Sequence, residues 1–175
     1  GAFDHFDSIM CVGPYHANEI RGWEEIKDLP AKQIFKHGSP PLDKLVQLSS
    51  EPIEKITPNK NAPAKILVAP SWGQEGLLET CGKELIALLL DAGYSVHLRP
   101  HPRTRQLTPN VVIEIRETFN SNSNFTINED ISGHDALLQS DAMICDWSGV
   151  AMEFAFGLSR PVIFVDVPRK VQNPE

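Results

Sequence analysis

Residues 140–167, SDAMICDWSGVAMEFAFGLSRPVIFVDV, set two short apolar runs around a polar elbow, Asp146-Trp147-Ser148-Gly149. The runs at 142–146 and 161–166 read as buried strands, and the segment 149–157 between them reads as a helix. Strand, turn, helix, strand is the repeating unit of a parallel sheet whose crossovers are helices. One feature resists that plain reading. Glu153 stands five residues after Ser148, flanked by Val150, Ala151, Met152, Phe154, Ala155 and Phe156.

Outward from this stretch the same alternation recurs. Further strands are expected near 7–13, 33–37, 64–70, 95–99 and 125–128, and helices near 16–27, 42–49, 76–92, 110–120 and 133–139. The helix at 76–92 is the clearest, because Leu78, Cys81, Leu85, Leu88 and Leu89 repeat at helical spacing and Gly93 can stop it. The pattern predicts an α/β fold: a Rossmann-like, doubly wound, mainly parallel sheet within a single domain over 1–175. The Pro- and Lys-bearing connector near 51–63 is the best internal boundary. The chain opens as GAFDHFDSIMCVG, with a strand almost at once, and so reads as a piece of something longer.

Bulk properties exclude several classes. The 175 residues carry 16 basic and 23 acidic side chains, a net charge of −7, which argues against a nucleic-acid partner. No stretch approaches about 18 uninterrupted apolar residues, so no membrane span is expected, and no signal-peptide pattern opens the chain. Three cysteines form no CxxC; Cys11 and Cys145 lie in apolar strand-like runs, where a reduced, buried thiol is the ordinary reading. That usage points to a reducing, cytoplasmic setting. No ligand spacing for a metal, no GxGxxG and no P-loop is present, so no metal or cofactor is expected.

In open parallel sheets ligands bind outside the carboxyl ends of the strands. Those ends carry Gly13-Pro14-Tyr15-His16, Gly38-Ser39-Pro40, Pro70-Ser71-Trp72-Gly73, Arg99-Pro100-His101-Pro102, the 146–149 elbow and Asp166. Turns alone attract Gly, Pro, Ser and Asp. The cations of RPHP, the aromatic of PSWG and the helix carboxylate go beyond what turns need. At the elbow, Ser148 reads as a helix cap and Gly149 as a place where a ligand can approach backbone, which suits a phosphate. Glu153, about one turn on, could accept from ribose hydroxyls; the plainer alternative is a Ser cap followed by a Glu on the outer helix face. Arg99 could pair with phosphate oxygens, and His101 could donate to a phosphate or a leaving group, with Pro100 and Pro102 stiffening the turn. Arg103 and Arg105 read as ordinary surface cations. Ser71 could touch a base or phosphate, and Trp72 either covers a nucleobase or packs between sheet and helix. The Gly38-Ser39-Pro40 turn shapes a crevice wall, and His16 and His37 read as incidental.

Taken together, GSPPLDKL at 38–45, ILVAPSWG at 66–73, LRPHP at 98–102 and HDALLQSDAMICDWSGVAMEFAFGLSRPVIFVD at 134–166 resemble the carboxyl-terminal half of the CDP-glycerol glycerophosphotransferase family. That family comprises bacterial teichoic-acid-type polymerases and primases of cell-envelope biosynthesis, with a two-domain GT-B architecture. The resemblance implies a transferase whose donor, CDP-glycerol or a related nucleotide-linked compound, contacts Pro70, Ser71, Arg99, Pro100, His101, Ser148, Gly149 and Glu153, with Trp72 added by the reading of its turn. Arg99 and His101 would be the catalytic pair. The acceptor-binding amino-terminal domain, with the family's His and any membrane contact at the inner face of the cell membrane, would lie outside this chain. The isolated chain is therefore expected to bind a nucleotide without turning it over. The sequence departs from the family at Pro41, where Arg is frequent, and at Gly149 and Glu153, where a second Ser and an Asp are frequent. A nucleotide-sugar transferase or epimerase relative, or a non-catalytic nucleotide-binding module, are the competing readings.

Overall fold

A computed structural model describes residues 3–50, 62–128 and 134–168. The chain divides into two units, Gly1–Lys44 and Leu45–Glu175. Most of the connector expected at 51–63 lies outside the described residues.

The first unit is a strand–helix–strand piece. Strand β1 (Ser8–Cys11) pairs in parallel with β2 (Gln33–Lys36), and helix α1 (Pro14–Lys27) is the crossover. Pro14 opens α1, where its missing N–H costs nothing, and Asp28 ends it in the left-handed conformation. Ile9, Cys11 and Ile20 form its small core. Buried Glu24 accepts two bonds from Arg21 and one from the Lys32 N–H, which hold its carboxyl below the usual range. Helix α2 (Pro40–Ser50) runs on into the second unit.

The second unit is built on β3 (Lys65–Val68), β4 (Ser95–Leu98), β5 (Phe125–Ile127), β6 (Ala142–Cys145) and β7 (Val162–Phe164). All neighbours pair in parallel, in the order β5-β4-β3-β6-β7. The first three strands in sequence run one way across the sheet and the last two run the other. The order therefore reverses between β3 and β6, the topological switch point at which ligands sit in open α/β sheets.

Strand periodicity sorts the side chains by face. Ile66, Val68, Val96, Leu98, Phe125 and Ile144 pack under α3 (Leu77–Asp91) and α5 (Pro109–Phe119), through Leu77, Leu78, Ile86, Leu89, Val112 and Ile115. Leu67, Met143 and Cys145 point the other way, against Leu45 of α2, Ala136 and Leu137 of α6 (Asp135–Gln139), and Ala151 and Phe154 after the elbow. Arg160 Nη1 donates to the carbonyls of Leu137, Leu138 and Ser140, closing the carboxyl end of α6 on the approach to β7. Burial, with Asp146 alongside, pushes the Cys145 thiol up to about 11.

Each expected strand is present and trimmed by one to three residues. The helices depart from expectation in two places. Residues 102–107 form a short helix, α4 (Pro102–Leu107), where the sequence reads as a surface loop. Its start is a His101 cap with Pro102 in the first turn, a combination hidden by the basic residues that follow. After the elbow, α7 (Val150–Met152) passes into a π-helical turn, Glu153–Gly157, instead of one regular helix over 149–157. No described helix is long and apolar enough to cross a membrane.

One buried carboxylate crosses the switch point. Asp146, at the end of β6 and 2% exposed, accepts from the Ser71 N–H through Oδ1 and from the Leu77 N–H at 3.0 Å through Oδ2. Leu77 is the first residue of α3, so the charge also meets the positive end of that helix. Replacement by Ala would strand two buried N–H groups. Asp146→Ala should therefore lower stability by about 3 kcal/mol, seen as a melting temperature roughly 10 °C lower. Asp141→Ala, which loses one exposed bond to the Lys65 N–H, should cost much less. Equal melting temperatures for the two variants would contradict the clamp.

His97 supplies a pH-dependent counterpart. Burial, and secondarily Lys65, lower its pKa from the ordinary 6.5. The unfolded chain then binds the proton more readily, so His97 supports the fold fully above pH 6.5 and loses that support as the pH falls. His97→Gln should flatten the fall in melting temperature between about pH 7 and 5.5; an unchanged slope would show that His97 does not contribute.

Candidate functional site

The parallel register sets Val68 level with Leu98 and Ile144, and Cys145 level with Phe164. The turns after β3, β4, β6 and β7 consequently share one edge of the sheet. Pro70, Ser71, Trp72, Arg99, Pro100, His101, Ser148, Gly149 and Asp166 all lie along it. They do not form one cluster, however. They fall into two groups on either side of the Asp146 clamp.

The first group surrounds the elbow. A cavity of about 510 Å³ is lined by Asp146, Trp147, Ser148, Gly149, Met152, Phe164, Val165 and Asp166. Its size is that of a small-molecule site. Trp147 is held by a 3.1 Å bond from its indole N–H to the Val167 carbonyl, and the Val165 N–H donates to the Cys145 carbonyl. These bonds fix the far wall. Ser148 does not act as the expected cap: Gly149 occupies the cap position and no side chain caps the helix. The reason lies in the backbone, where the Ser148 N–H turns back to the Asp146 carbonyl and Ala151 donates to the Ser148 carbonyl. The Ser148 hydroxyl thus has no bonding partner among the described residues. A Cβ built on Gly149 would meet nothing within 4 Å, so the backbone there is open to approach.

The second group lies at the ends of β3 and β4. Trp72 and His101 stand with ring centroids 6.3 Å apart, and the Arg103 guanidinium carbon sits 4.0 Å over the Trp72 ring. His101 Nδ1 accepts from the Arg103 N–H at 3.1 Å. In the neutral ring this puts the hydrogen on Nε2, leaving that nitrogen as a donor. Pro70 and Pro100 are buried and hold the turns rather than offer surface. Ser71 is 6% exposed and its N–H is already committed to Asp146, so that group is not available to a ligand. The Arg99 N–H continues the ladder to the Val68 carbonyl, which keeps Arg99 in register at the strand end.

Three more residues are placed by this geometry. Trp72 carries Arg103 on its ring face, so that face does not cover a nucleobase. Arg103 is exposed, as a surface cation would be, but it sits over the Trp72 ring, and the signal that could have found this contact is the Pro-opened helix that returns it to the sheet edge. Glu153, half-buried, lies outside the cavity lining and has no hydrogen bond or ion pair among the described residues. The apolar residues that flank Glu153 are not all buried. Ala151 and Phe154 form its buried stripe, while Met152 and Phe156 are 54% and 69% exposed. Asp146 was read only as a turn residue, and its role as the clamp needed the fold to be seen. No group of three His, Cys, Asp or Glu that could hold a metal occurs among the described residues.

Comparison with known proteins agrees with this architecture. A variant of the wall teichoic acid polymerase TagF, soaked with CDPG, aligns over 90% of this chain and 37% of its own, with 24% identity and a TM-score of 0.55. The UDP-GlcNAc 2-epimerase of Methanocaldococcus jannaschii, solved with UDP-GlcNAc and UDP, aligns over 92% of this chain and 46% of its own, at 15% identity and a TM-score of 0.60. That of Neisseria meningitidis, bound to UDP-GlcNAc, aligns over 84% and 42%, at 19% identity and a TM-score of 0.56. The chain thus spans less than half of each of these structures, and at such identities the likeness establishes the fold: a Rossmann-like half of a GT-B architecture. None of the curated proteins matches with significance. The family profile described as CDP-Glycerol:Poly(glycerophosphate) glycerophosphotransferase matches residues 11–169, nearly the whole chain, and the protein belongs to that family.

Proposed function

We propose that this chain is the donor-binding part of a CDP-glycerol glycerophosphotransferase of cell-envelope polymer synthesis. The observation that carries the reading is the cavity at the carboxyl edge, beside the switch point, with the unused Ser148 hydroxyl and the open Gly149 backbone in its lining. Phosphate groups of the donor would rest on Ser148 and Gly149, facing the cationic residues of the β4 turn. A cytidine ribose would reach along the helix toward Glu153.

In the reaction an acceptor hydroxyl oxygen attacks the β-phosphorus, which carries the glycerol. The bond from that phosphorus to the bridging oxygen breaks, and CMP leaves with the electron pair. Arg99 and the His101 Nε2–H are the groups of this chain suited to stabilise the charge gathering on the departing phosphate. The acceptor proton passes to a base supplied by an acceptor-binding domain. By this reading the chain works in the cytoplasm on an acceptor at the inner membrane face.

Calorimetric titration with CDP-glycerol, CMP, UDP and UDP-GlcNAc tests the donor assignment. CDP-glycerol should bind one to one, and Arg99→Gln should weaken it about tenfold or more. Binding of UDP-GlcNAc with no heat from any cytidine compound would overturn it in favour of an epimerase-like specificity. A second titration addresses Glu153. Glu153→Gln should weaken CMP about ten- to a hundredfold while sparing its 2′,3′-dideoxy analogue. Equal loss of both ligands would reject the ribose role, and no loss of either would make Glu153 a bystander.

A further inference from the structure

We propose that Arg103, seated over the Trp72 ring, grips the phosphate that a diphosphate-linked donor has and a nucleoside monophosphate lacks. The inference rests on reading the carboxyl edge as a donor site and deepens it, by naming what separates donor from product. A guanidinium carbon 4.0 Å from a ring centroid is within cation–π distance. Such a contact positions the guanidinium through the ring, and its N–H groups can serve a bidentate acceptor. Among the described residues no carboxylate pairs with Arg103, whose recorded contacts are the Trp72 ring and the bond from its backbone N–H to His101. A cation so oriented, with no carboxylate on it among the described residues, is suited to an anion from outside.

Its position is also fixed from two sides. Trp72 follows Ser71, whose N–H is bound by Asp146, the first residue of the elbow. Arg103 follows the His101 cap that opens α4, and His101 accepts its N–H. The ends of β3, β4 and β6 therefore set where the guanidinium stands. The cluster sets the permanent charge of Arg103 beside the Trp72 and His101 rings. A monophosphate held at the elbow leaves the guanidinium unused; a second phosphate gains it. Once the distal phosphate has been transferred, that hold is lost and the nucleotide product is released more easily.

The test compares CDP, CDP-glycerol, CMP and inorganic diphosphate as ligands by calorimetry, for the wild type and for Arg103→Gln, Arg103→Lys and Trp72→Leu. Thermal melts show that each variant is folded. Arg103→Gln should weaken CDP, CDP-glycerol and diphosphate about tenfold, and CMP less than about twofold. Arg103→Lys should fall between, because it keeps the charge and loses the planar fork. Trp72→Leu should lower the CDP-to-CMP affinity ratio in the wild type and change it little when Arg103 is already Gln. Equal loss of CMP and CDP, or loss of neither, overturns the proposal while leaving the donor reading intact. Arg103-dependent binding of diphosphate without any cytidine nucleotide would instead support the anion site and refute the nucleotide reading. A wild type that binds none of the four ligands refutes both.

Discussion

The carboxylate of Asp146 is the joint on which the sheet edge depends. A buried charge is costly unless each lone-pair direction finds a donor. Here the donors are two backbone N–H groups, Ser71 and Leu77, from opposite ends of the loop joining β3 to α3. The loop is thereby drawn down onto the end of β6. Gly76 has to be glycine for this to happen, since a Cβ there would lie 2.9 Å from the Gly73 carbonyl oxygen and 2.9 Å from Glu79 Oε2. Pro70 and Ser71 are buried as a result, and Trp72 is the next residue to reach the edge.

The same joint divides the edge into two chemically different halves. On the β6–β7 side Trp147, Met152, Phe164 and Val165 make mostly apolar walls around the elbow. On the β3–β4 side Trp72, His101 and Arg103 form an aromatic and cationic group. A nucleotide diphosphate linked to a small polyol needs both kinds of surface, one for charge and one to exclude water. Under the proposed reading a donor would bridge the two halves across the switch point, where the strand order reverses.

Much of the architecture was legible because it rests on local signals. Seven apolar runs of strand length, separated by helical runs, lead directly to parallel pairing; the described strands lie within those runs, two in the first unit and five in the second. What escaped sequence reasoning depends on neighbours distant in the chain. Trp72 and Arg103 are 31 residues apart and meet because β3 and β4 are adjacent. Asp146 finds its donors about 70 residues earlier. Ser148 has a good cap composition, yet a tight turn onto Asp146 takes its backbone out of the cap position. The π-helical turn at 153–157 has no periodicity that distinguishes it from an ordinary helix, so the half-open setting of Glu153 could not be anticipated.

A nucleotide-linked donor seated on the carboxyl edge across the β3–β6 switch point would perturb the backbone amides around it, and their chemical shifts can be followed during titration with CDP-glycerol. Saturating shifts should concentrate at Trp72–Gly73, His101–Thr104 and Ser148–Val150, with the amides at the amino ends of the same strands, such as Lys65, Ser95 and Ala142, left in place. Shifts confined to those amino ends, or to the 8–36 segment, would contradict that seating.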